Sequence, residues 1–359
     1  MSMITPDKSS NLKLLDCTLR DGSYALNFQF TSEETTTICK ALELAGIDWI
    51  EVGHGVGLCA SETGCGDAAE TDVSYMKAAA LGLARARWGM FCIPGIAKLE
   101  ALEEAISYGM GFVRIGVNVK DYQKACPFIE LGRKHNLFTC VNFMKSYTGS
   151  PDDFARYALK AEEYGANLVY LVDSAGGMLP EQITQYVEAV KQRTTSLSLG
   201  FHGHNNLGLG VANSLRAVEL GVEFVDVSLQ GMGRGAGNTP SEQLVCALLR
   251  KGINLNLDPI ALLDVSERFI NSYHSIGSVS SLDVISGLSL FHSSYMGTIQ
   301  KYAIKYRIDP RRLVIAVCEI DKVNAPEDLV EEQAIKLAKA GQRGSWKALN
   351  KNYHGEEQH

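Results

Sequence analysis

Two histidines separated by one residue stand in the stretch Gly200-Phe201-His202-Gly203-His204-Asn205-Asn206-Leu207-Gly208-Leu209-Gly210. Side chains alternate along a β-strand, so a strand ending here puts both imidazoles on one face. Gly203 between them leaves the opposite face free for close packing. Two neutral imidazoles on one face form a two-point chelate that lacks only a carboxylate to hold a metal ion. The same pair would also serve as hydrogen-bonding residues at a strand edge, and the spacing alone does not choose. A carboxylate is offered near the other end of the chain. There Leu12-Lys13-Leu14-Leu15-Asp16-Cys17-Thr18-Leu19-Arg20-Asp21-Gly22 reads as a buried strand that stops at a charged turn.

Elements that could bring these residues together follow from the alternation of short apolar runs with amphipathic stretches. The runs predict strands at Lys13–Asp16, Trp49–Val52, Arg87–Cys92, Phe112–Ile115, Thr139–Phe143, Leu168–Val172, Ser198–His202 and Phe224–Ser228. Between them, helices are predicted at Ser32–Ala45, Lys98–Gly109, Asp121–His135, Pro151–Gly165, Pro180–Arg193, Leu207–Gly221 and Thr239–Gly252. Several end in a glycine just before the next strand, as in Ala45-Gly46-Ile47 and Tyr164-Gly165-Ala166, which suits a left-handed helix cap. Eight strands with intervening helices predict an α/β protein, a (β/α)₈ TIM barrel over residues 10–255. A doubly wound open sheet would have fewer strands and a glycine-rich phosphate turn after the first, and no such turn is seen. Beyond residue 255 the pattern turns helical, at Leu257–Ser272, Ser281–Arg307, Asp309–Ile320 and Ala325–Ala340. Residues 256–343 read as a C-terminal helical extension, serving as a barrel cap, a lid or a docking surface. Residues 344–359 read as a flexible polar tail.

A barrel gives the scattered residues one location, because active sites of this fold lie at the C-terminal ends of the strands. Asp21 follows the first strand, His54 the second, Asp173 and Ser174 the sixth, and Asn238 the eighth, while His202 and His204 close the seventh. The first, seventh and eighth strands are neighbours once a barrel closes, so Asp21 can approach the histidines. Two imidazoles and one carboxylate leave several coordination positions open, which favours Mn²⁺, Mg²⁺, Co²⁺ or Fe²⁺. A structural zinc would bring paired cysteines, and their spacing is absent.

Composition bounds the rest. With 46% hydrophobic and 21% charged residues among 359, the chain has an ordinary globular profile. A net charge of −7 argues against nucleic acid or an anionic membrane surface as the main partner. No apolar run reaches the roughly 18 residues that cross a bilayer. The segment Met1 to Asn11 has no signal-peptide core. Nine cysteines form no paired framework, and Cys92, Cys140, Cys246 and Cys318 fall inside apolar elements as small hydrophobes. These features predict a cytoplasmic protein. An acidic surface and an appended helical region permit a homodimer.

Three motifs carry a resemblance. Thr18-Leu19-Arg20-Asp21-Gly22, His202-Gly203-His204-Asn205 and Gly233-Arg234-Gly235-Ala236-Gly237-Asn238 resemble the metal-dependent aldolases and lyases of the DRE-type TIM-barrel superfamily. The resemblance covers nearly the whole chain and is nearest to the 4-hydroxy-2-oxovalerate aldolase branch. The condensing enzymes of the superfamily carry a glutamate in the loop where this chain has Gly233-Arg234-Gly235-Ala236. It implies class II aldol chemistry: Asp21, His202 and His204 hold a divalent metal, with Mn²⁺ the first choice and Mg²⁺ or Co²⁺ behind it. A 2-oxo acid would chelate that metal through its ketone and carboxylate oxygens, with a pyruvate enolate as intermediate and an aldehyde as the other product. Arg20 would put positive charge on the enolate oxygen, and Ser174 would contact the substrate. Asn205 or Asn238 would orient the metal ligands. The resemblance further implies an acylating acetaldehyde dehydrogenase as a channelling partner.

The chain departs from the family at the base. Where those aldolases have a histidine after the Arg-Asp-Gly motif, this chain has Tyr24. Where they have a tyrosine before a Ser-Ser pair in the extension, it has His292 before Ser293-Ser294. An ordinary tyrosine titrates at about 10 and is a poor base at neutral pH. Tyr24 could act beside a cation, His292 or His54 could replace the base on the substrate side, or the substrate could differ from 4-hydroxy-2-oxovalerate. Two other readings remain at this stage: a Claisen-type acyltransferase joining an acyl-CoA to a 2-oxo acid, and a catalytically altered subunit stabilising the dehydrogenase.

Overall fold

In the computed structural model, eight parallel strands close into a barrel in sequence order, β1 pairing with both β2 and β8. The structure describes residues 11–194, 196–270 and 281–341. The strands are β1 Lys13–Asp16, β2 Trp49–Glu51, β3 Arg87–Cys92, β4 Phe112–Asn118, β5 Phe138–Met144, β6 Leu168–Asp173, β7 Ser198–Gly203 and β8 Phe224–Val227. The helices around them are α1 Ser32–Ala45, α2 Asp72–Gly82, α3 Leu99–Ser107, α4 Cys126–Lys134, α5 Pro151–Tyr164, α6 Pro180–Lys191, α7 Gly210–Glu219 and α8 Ser241–Arg250. After the barrel come α9 Pro259–Phe269, α10 Ser281–Ser289, α11 Met296–Tyr306, α12 Pro310–Cys318 and α13 Glu327–Lys339. The TIM barrel and the helical C-terminal region are as the sequence predicts. No helix among the described residues is long and apolar enough to cross a membrane.

Local chemistry sets the boundaries. Thr31 caps α1 reciprocally with Glu34, and Gly46 ends the helix at φ 100°. Helix α2 is absent from the sequence reading because its alanine-rich run, Lys77-Ala78-Ala79-Ala80-Leu81, makes no apolar stripe. The single helix expected over Ser281–Arg307 is broken. Leu290 takes left-handed backbone at φ 58°, and His292 stands at the start of a short 3₁₀ turn, Ser293–Tyr295. The tail expected at 344–359 and the helix end expected at Ser272 lie outside the described residues.

Along the strands, alternate residues point into the barrel. At one end these are aromatic: Trp49 packs its ring 5.1 Å from Phe112, 5.1 Å from Phe138 and 4.9 Å from Phe224. Leu15, Cys140, Leu168 and Tyr170 continue that interior cluster. Further along β2, β4, β5 and β8 the inward positions are polar: Glu51, Arg114, Asn142 and Asp226, all buried. Arg114 on β4 pairs with Asp226 on β8 and Glu51 on β2, bonds that span non-adjacent strands and therefore cross the barrel interior. An apolar plug thus supports a charged floor at the C-terminal ends.

The C-terminal region divides by its packing. Leu262, Val265 and Ile270 join the barrel's outer apolar layer, so α9 packs as part of the barrel. Leu282, Phe291, Met296, Ile299, Leu313, Val314 and Val330 form a separate core for α10–α13. That unit sits over the loops after β5 to β8. A methyl added at Gly177, after β6, would lie 2.1 Å from the Gly287 carbonyl oxygen of α10, so only glycine allows this approach.

Candidate active site

Asp21 opens a 3₁₀ turn, Asp21–Leu26, in the loop that follows β1. Residues i and i+3 of such a turn share a face, so Asp21 and Tyr24 both line the same chamber at the barrel mouth. His202 and His204 enter it from β7 and the bridge that follows. The carboxylate and one ring nitrogen of each histidine lie within 4.8 Å of one another, and all three residues are buried. This is the one cluster of its kind among the described residues.

Hydrogen bonding fixes both tautomers. His202 Nδ1 lies 2.7 Å from Asp226 Oδ2, which can only accept while ionised. Burial opposes that ionisation, but Arg114 and His202 outweigh it and hold Asp226 below the usual carboxylate range. His204 Nδ1 donates to the Gly237 carbonyl at 3.2 Å. In the neutral form of each ring the hydrogen therefore sits on Nδ1, and the two Nε2 lone pairs face each other at 3.4 Å. Burial brings His204 down to about 3, so it is neutral across the physiological range. Burial also disfavours a charged Asp21, yet the Arg20 guanidinium, with Arg234 behind it, holds it well below the carboxylate range. Facing lone pairs beside an ionised carboxylate repel unless a cation joins them, and this donor set fits a divalent metal. Asn238 Nδ2 donates to Asp21 Oδ2 at 2.8 Å and steadies the third donor. Asn205 Oδ1 instead accepts the Gly210 N–H at the turn into α7.

Arg20 lies beside the cluster. Its Nη1 donates to Asp21 Oδ1 and its Nε to Glu51 Oε2, each at 2.7 Å. Its guanidinium stacks over Phe91 with 4.6 Å to the centroid. Among the described residues Nη2 has no protein partner, which leaves it for a ligand. Glu51 Oε2 also accepts from Arg114 Nη1 at 2.8 Å, so one carboxylate ties Arg20 to the barrel floor. Glu51, Arg114 and Asp226 were missed as functional in the sequence reading. The signal was there: a charge inside an apolar strand, as in Phe112-Val113-Arg114-Ile115, can only point into a closed barrel. Replacing Asp226 by Asn is expected to lower metal affinity roughly 10–100-fold by freeing the His202 ring. Titration with Mn²⁺ measures this, and unchanged affinity would mean that Asp226 does not orient His202.

Of the other residues singled out from the sequence, Tyr24 and Ser174 line the chamber. Ser174 Oγ accepts the Lys145 backbone N–H at 3.0 Å. His54 is not brought to the chamber lining. It stacks on Phe28, its Nδ1 accepts the Val56 N–H at 3.0 Å, and its Nε2 faces the Gly66 carbonyl at 3.2 Å. Burial brings His54 to about 4, so it stays neutral and organises the loop after β2. His292 approaches from the extension, and Arg234 Nη2 donates to its Nε2 at 2.6 Å. Its Nδ1–H donates to Ser294 Oγ at 2.6 Å, and the Nε2 lone pair that could take a proton is occupied by Arg234. Burial, then the charges of Arg234 and Lys145, push His292 well below its ordinary value. The Arg234 guanidinium stands 5.6 Å from the Tyr24 ring centroid. The chamber is narrow, about 40 Å³, and through Ile93 and Met144 it adjoins a vestibule of about 900 Å³.

Comparison with known proteins agrees with this geometry. The HMGL-like family model matches residues 11–269. The chain is similar to 4-hydroxy-2-oxovalerate aldolase of Chloroflexus aurantiacus, 34% identical over 93% of this chain and 98% of that one. It is similar to 4-hydroxy-2-oxovalerate aldolase 2 of Rhodococcus jostii, 34% identical over 92% of this chain and 96% of that one. Among solved structures, it resembles the carboxyl transferase domain of Rhizobium etli pyruvate carboxylase with TM-score 0.75 and 18% identity, over 94% of this chain and 61% of that one. That likeness is one of fold.

Proposed function

This chain belongs to the HMGL-like family, and from that premise we propose that it is a divalent-metal-dependent aldolase. Its substrate on this reading is a 4-hydroxy-2-oxo acid, which it splits into pyruvate and an aldehyde. One observation carries the reading: two Nε2 lone pairs and the Asp21 carboxylate converge beside a guanidinium with a free N–H. Relatives named 4-hydroxy-2-oxovalerate aldolase, matched over nearly their whole length, support a carbon–carbon lyase over a condensing acyltransferase.

Asp21, His202 and His204 hold the ion, and Mn²⁺ is the first choice for a site with imidazole, carboxylate and open positions. When bound, such an ion supplies Lewis acidity to the ketone oxygen of a 2-oxo acid. Arg20 Nη2 donates to the oxygen on which negative charge grows as the C3–C4 bond breaks, giving pyruvate enolate. Its orientation is fixed beforehand by Asp21, Glu51 and Phe91, so no reorganisation is needed during the step. The Ser174 hydroxyl, accepting at its oxygen from Lys145, turns its own hydrogen toward the substrate carboxylate.

Tyr24 takes the 4-hydroxyl proton. The Arg234 guanidinium lies over the Tyr24 ring, 5.6 Å from its centroid, and faces that ring as the proton moves. His292 acts as a positioning residue: neutral, it accepts from Arg234 and holds the guanidinium against the Tyr24 ring. Replacement of Tyr24 by Phe is expected to leave metal content intact and lower kcat roughly 10²–10⁴-fold. Metal analysis together with pyruvate release from 4-hydroxy-2-oxovalerate and longer homologues checks this. Turnover at the wild-type rate would remove Tyr24 from the mechanism. No pyruvate from any homologue, by a protein that binds metal, would overturn the aldolase reading.

A further inference from the structure

The charges around the chamber do not balance evenly. On its floor two guanidiniums, Arg20 and Arg114, are matched by Asp21, Glu51 and Asp226 within ion-pair distance. The one excess negative charge there is what a divalent ion and a monoanionic 2-oxo acid together would neutralise. Two further cations stand nearby without any such match. Arg234 is buried, and its side chain bonds to neutral His292. Lys145, also buried, donates its ammonium to Tyr295 Oη at 3.2 Å and the Val323 carbonyl at 3.3 Å. Among the described residues no carboxylate lies within ion-pair distance of either side chain. Asp321 and Asp121 act on Lys145 from beyond ion-pair distance, and Asp121, at the vestibule wall, is paired with Lys124 at 3.6 Å.

A buried cation without a direct ion-pair partner is costly, and an anionic ligand in contact with it relieves that cost. The two cations also act on each other: burial, then the charge of Arg234, brings Lys145 down to about 8, so it remains mostly protonated at neutral pH. Their places in the cavity say where an anion would sit. Arg234 lines the chamber, Lys145 lines the vestibule, and Met144 belongs to the lining of both. The narrow chamber opens past Ile93 and Met144 toward the vestibule, the direction in which an aldehyde half longer than the reacting carbons would extend. At about 900 Å³, that space is in the range that holds ligands of many atoms, well beyond a two-carbon aldehyde.

We propose that the aldehyde half of the substrate carries an anionic group, a carboxylate or a phosphate, bound by Arg234 and Lys145 where the chamber opens into the vestibule. This rests on the aldolase reading above and names its substrate class. A guanidinium offers a planar pair of donors to such a group, and the ammonium adds a point charge.

The test runs in the carbon–carbon bond-forming direction with pyruvate, Mn²⁺ and matched aldehydes. Succinic semialdehyde is set against butanal for a carboxylate, and glyceraldehyde 3-phosphate against glyceraldehyde for a phosphate. At least one anionic aldehyde should exceed its neutral partner about tenfold or more in kcat/KM, and the pair that responds identifies the group. Both Lys145→Gln and Arg234→Gln should lower that ratio about tenfold. Because a ratio is read, a general loss of rate or stability in either variant does not imitate the result. Ratios near one in the wild type, or ratios that both variants leave unchanged, overturn the proposal. Deuterium exchange into the pyruvate methyl group separates the two readings. Exchange with no anion preference removes this proposal alone, and no exchange with no product from any aldehyde removes the aldolase reading and this proposal with it.

Discussion

An Arg20→Lys substitution is expected to lower kcat roughly 10²–10³-fold while leaving bound metal unchanged, the scale of losing one aimed donor to a developing oxyanion. The arginine makes three anchoring contacts, to Asp21 at 2.7 Å, Glu51 at 2.7 Å and the Gly55 carbonyl at 3.3 Å, and still has Nη2 left. A lysine ammonium has three donors on a flexible stem, so meeting those anchors leaves nothing aimed at the substrate. The residues proposed to hold the metal, Asp21, His202 and His204, stay in place, and metal analysis beside the rate measurement tells the two effects apart. A variant with a wild-type rate, or one that has lost its metal, would show that Arg20 does not act on the substrate oxygen.

The second large effect falls on stability. Arg114→Met is expected to destabilise the protein by about 3–5 kcal/mol, the range for breaking a buried ion pair from one side. Arg114 is fully buried and serves Glu51 and Asp226 at once, with Asn142 Oδ1 accepting from its Nε at 3.3 Å and the Tyr170 ring 4.3 Å from its guanidinium. Methionine fills much of the volume but leaves two carboxylates inside the barrel without their common cation. Denaturant unfolding measures the loss. The same variant should bind metal more weakly, because Asp226 also aligns His202. A change below about 1 kcal/mol would mean that water or protonation replaces Arg114 at little cost, and the floor would not be the support described here.

How far the site could be read from sequence depended on whether its parts are local. Each strand predicted from an apolar run is present, with ends differing by up to three residues, and β1 and β3 agree at both ends. Period-two alternation in a buried strand is a local property, and the same alternation put His202 and His204 on one face. Asp21 could be joined to them because barrel closure makes first, seventh and eighth strands neighbours. The Glu51, Arg114 and Asp226 network was not visible in that way. Its bonds join residues 63 and 112 positions apart, and only strand register decides which inward side chains meet. His292 shows the opposite difficulty. Its residue type suggested a replacement base, but the left-handed turn at Leu290 aims it at Arg234, whose guanidinium occupies its lone pair. Helix α2 was missed for a simpler reason: alanine-rich helices lack the apolar stripe on which the reading relied.

Deuterium exchange into the methyl group of pyruvate, followed by proton NMR, tests the central claim most directly. It asks only whether the site made by Asp21, His202 and His204 brings pyruvate to its enolate, whatever aldehyde is the natural partner. The account predicts exchange in the wild type with Mn²⁺, its loss on adding EDTA, and its absence in His202→Ala even when Mn²⁺ is in excess. Exchange that continues in EDTA, or that survives in a folded His202→Ala protein, would contradict it.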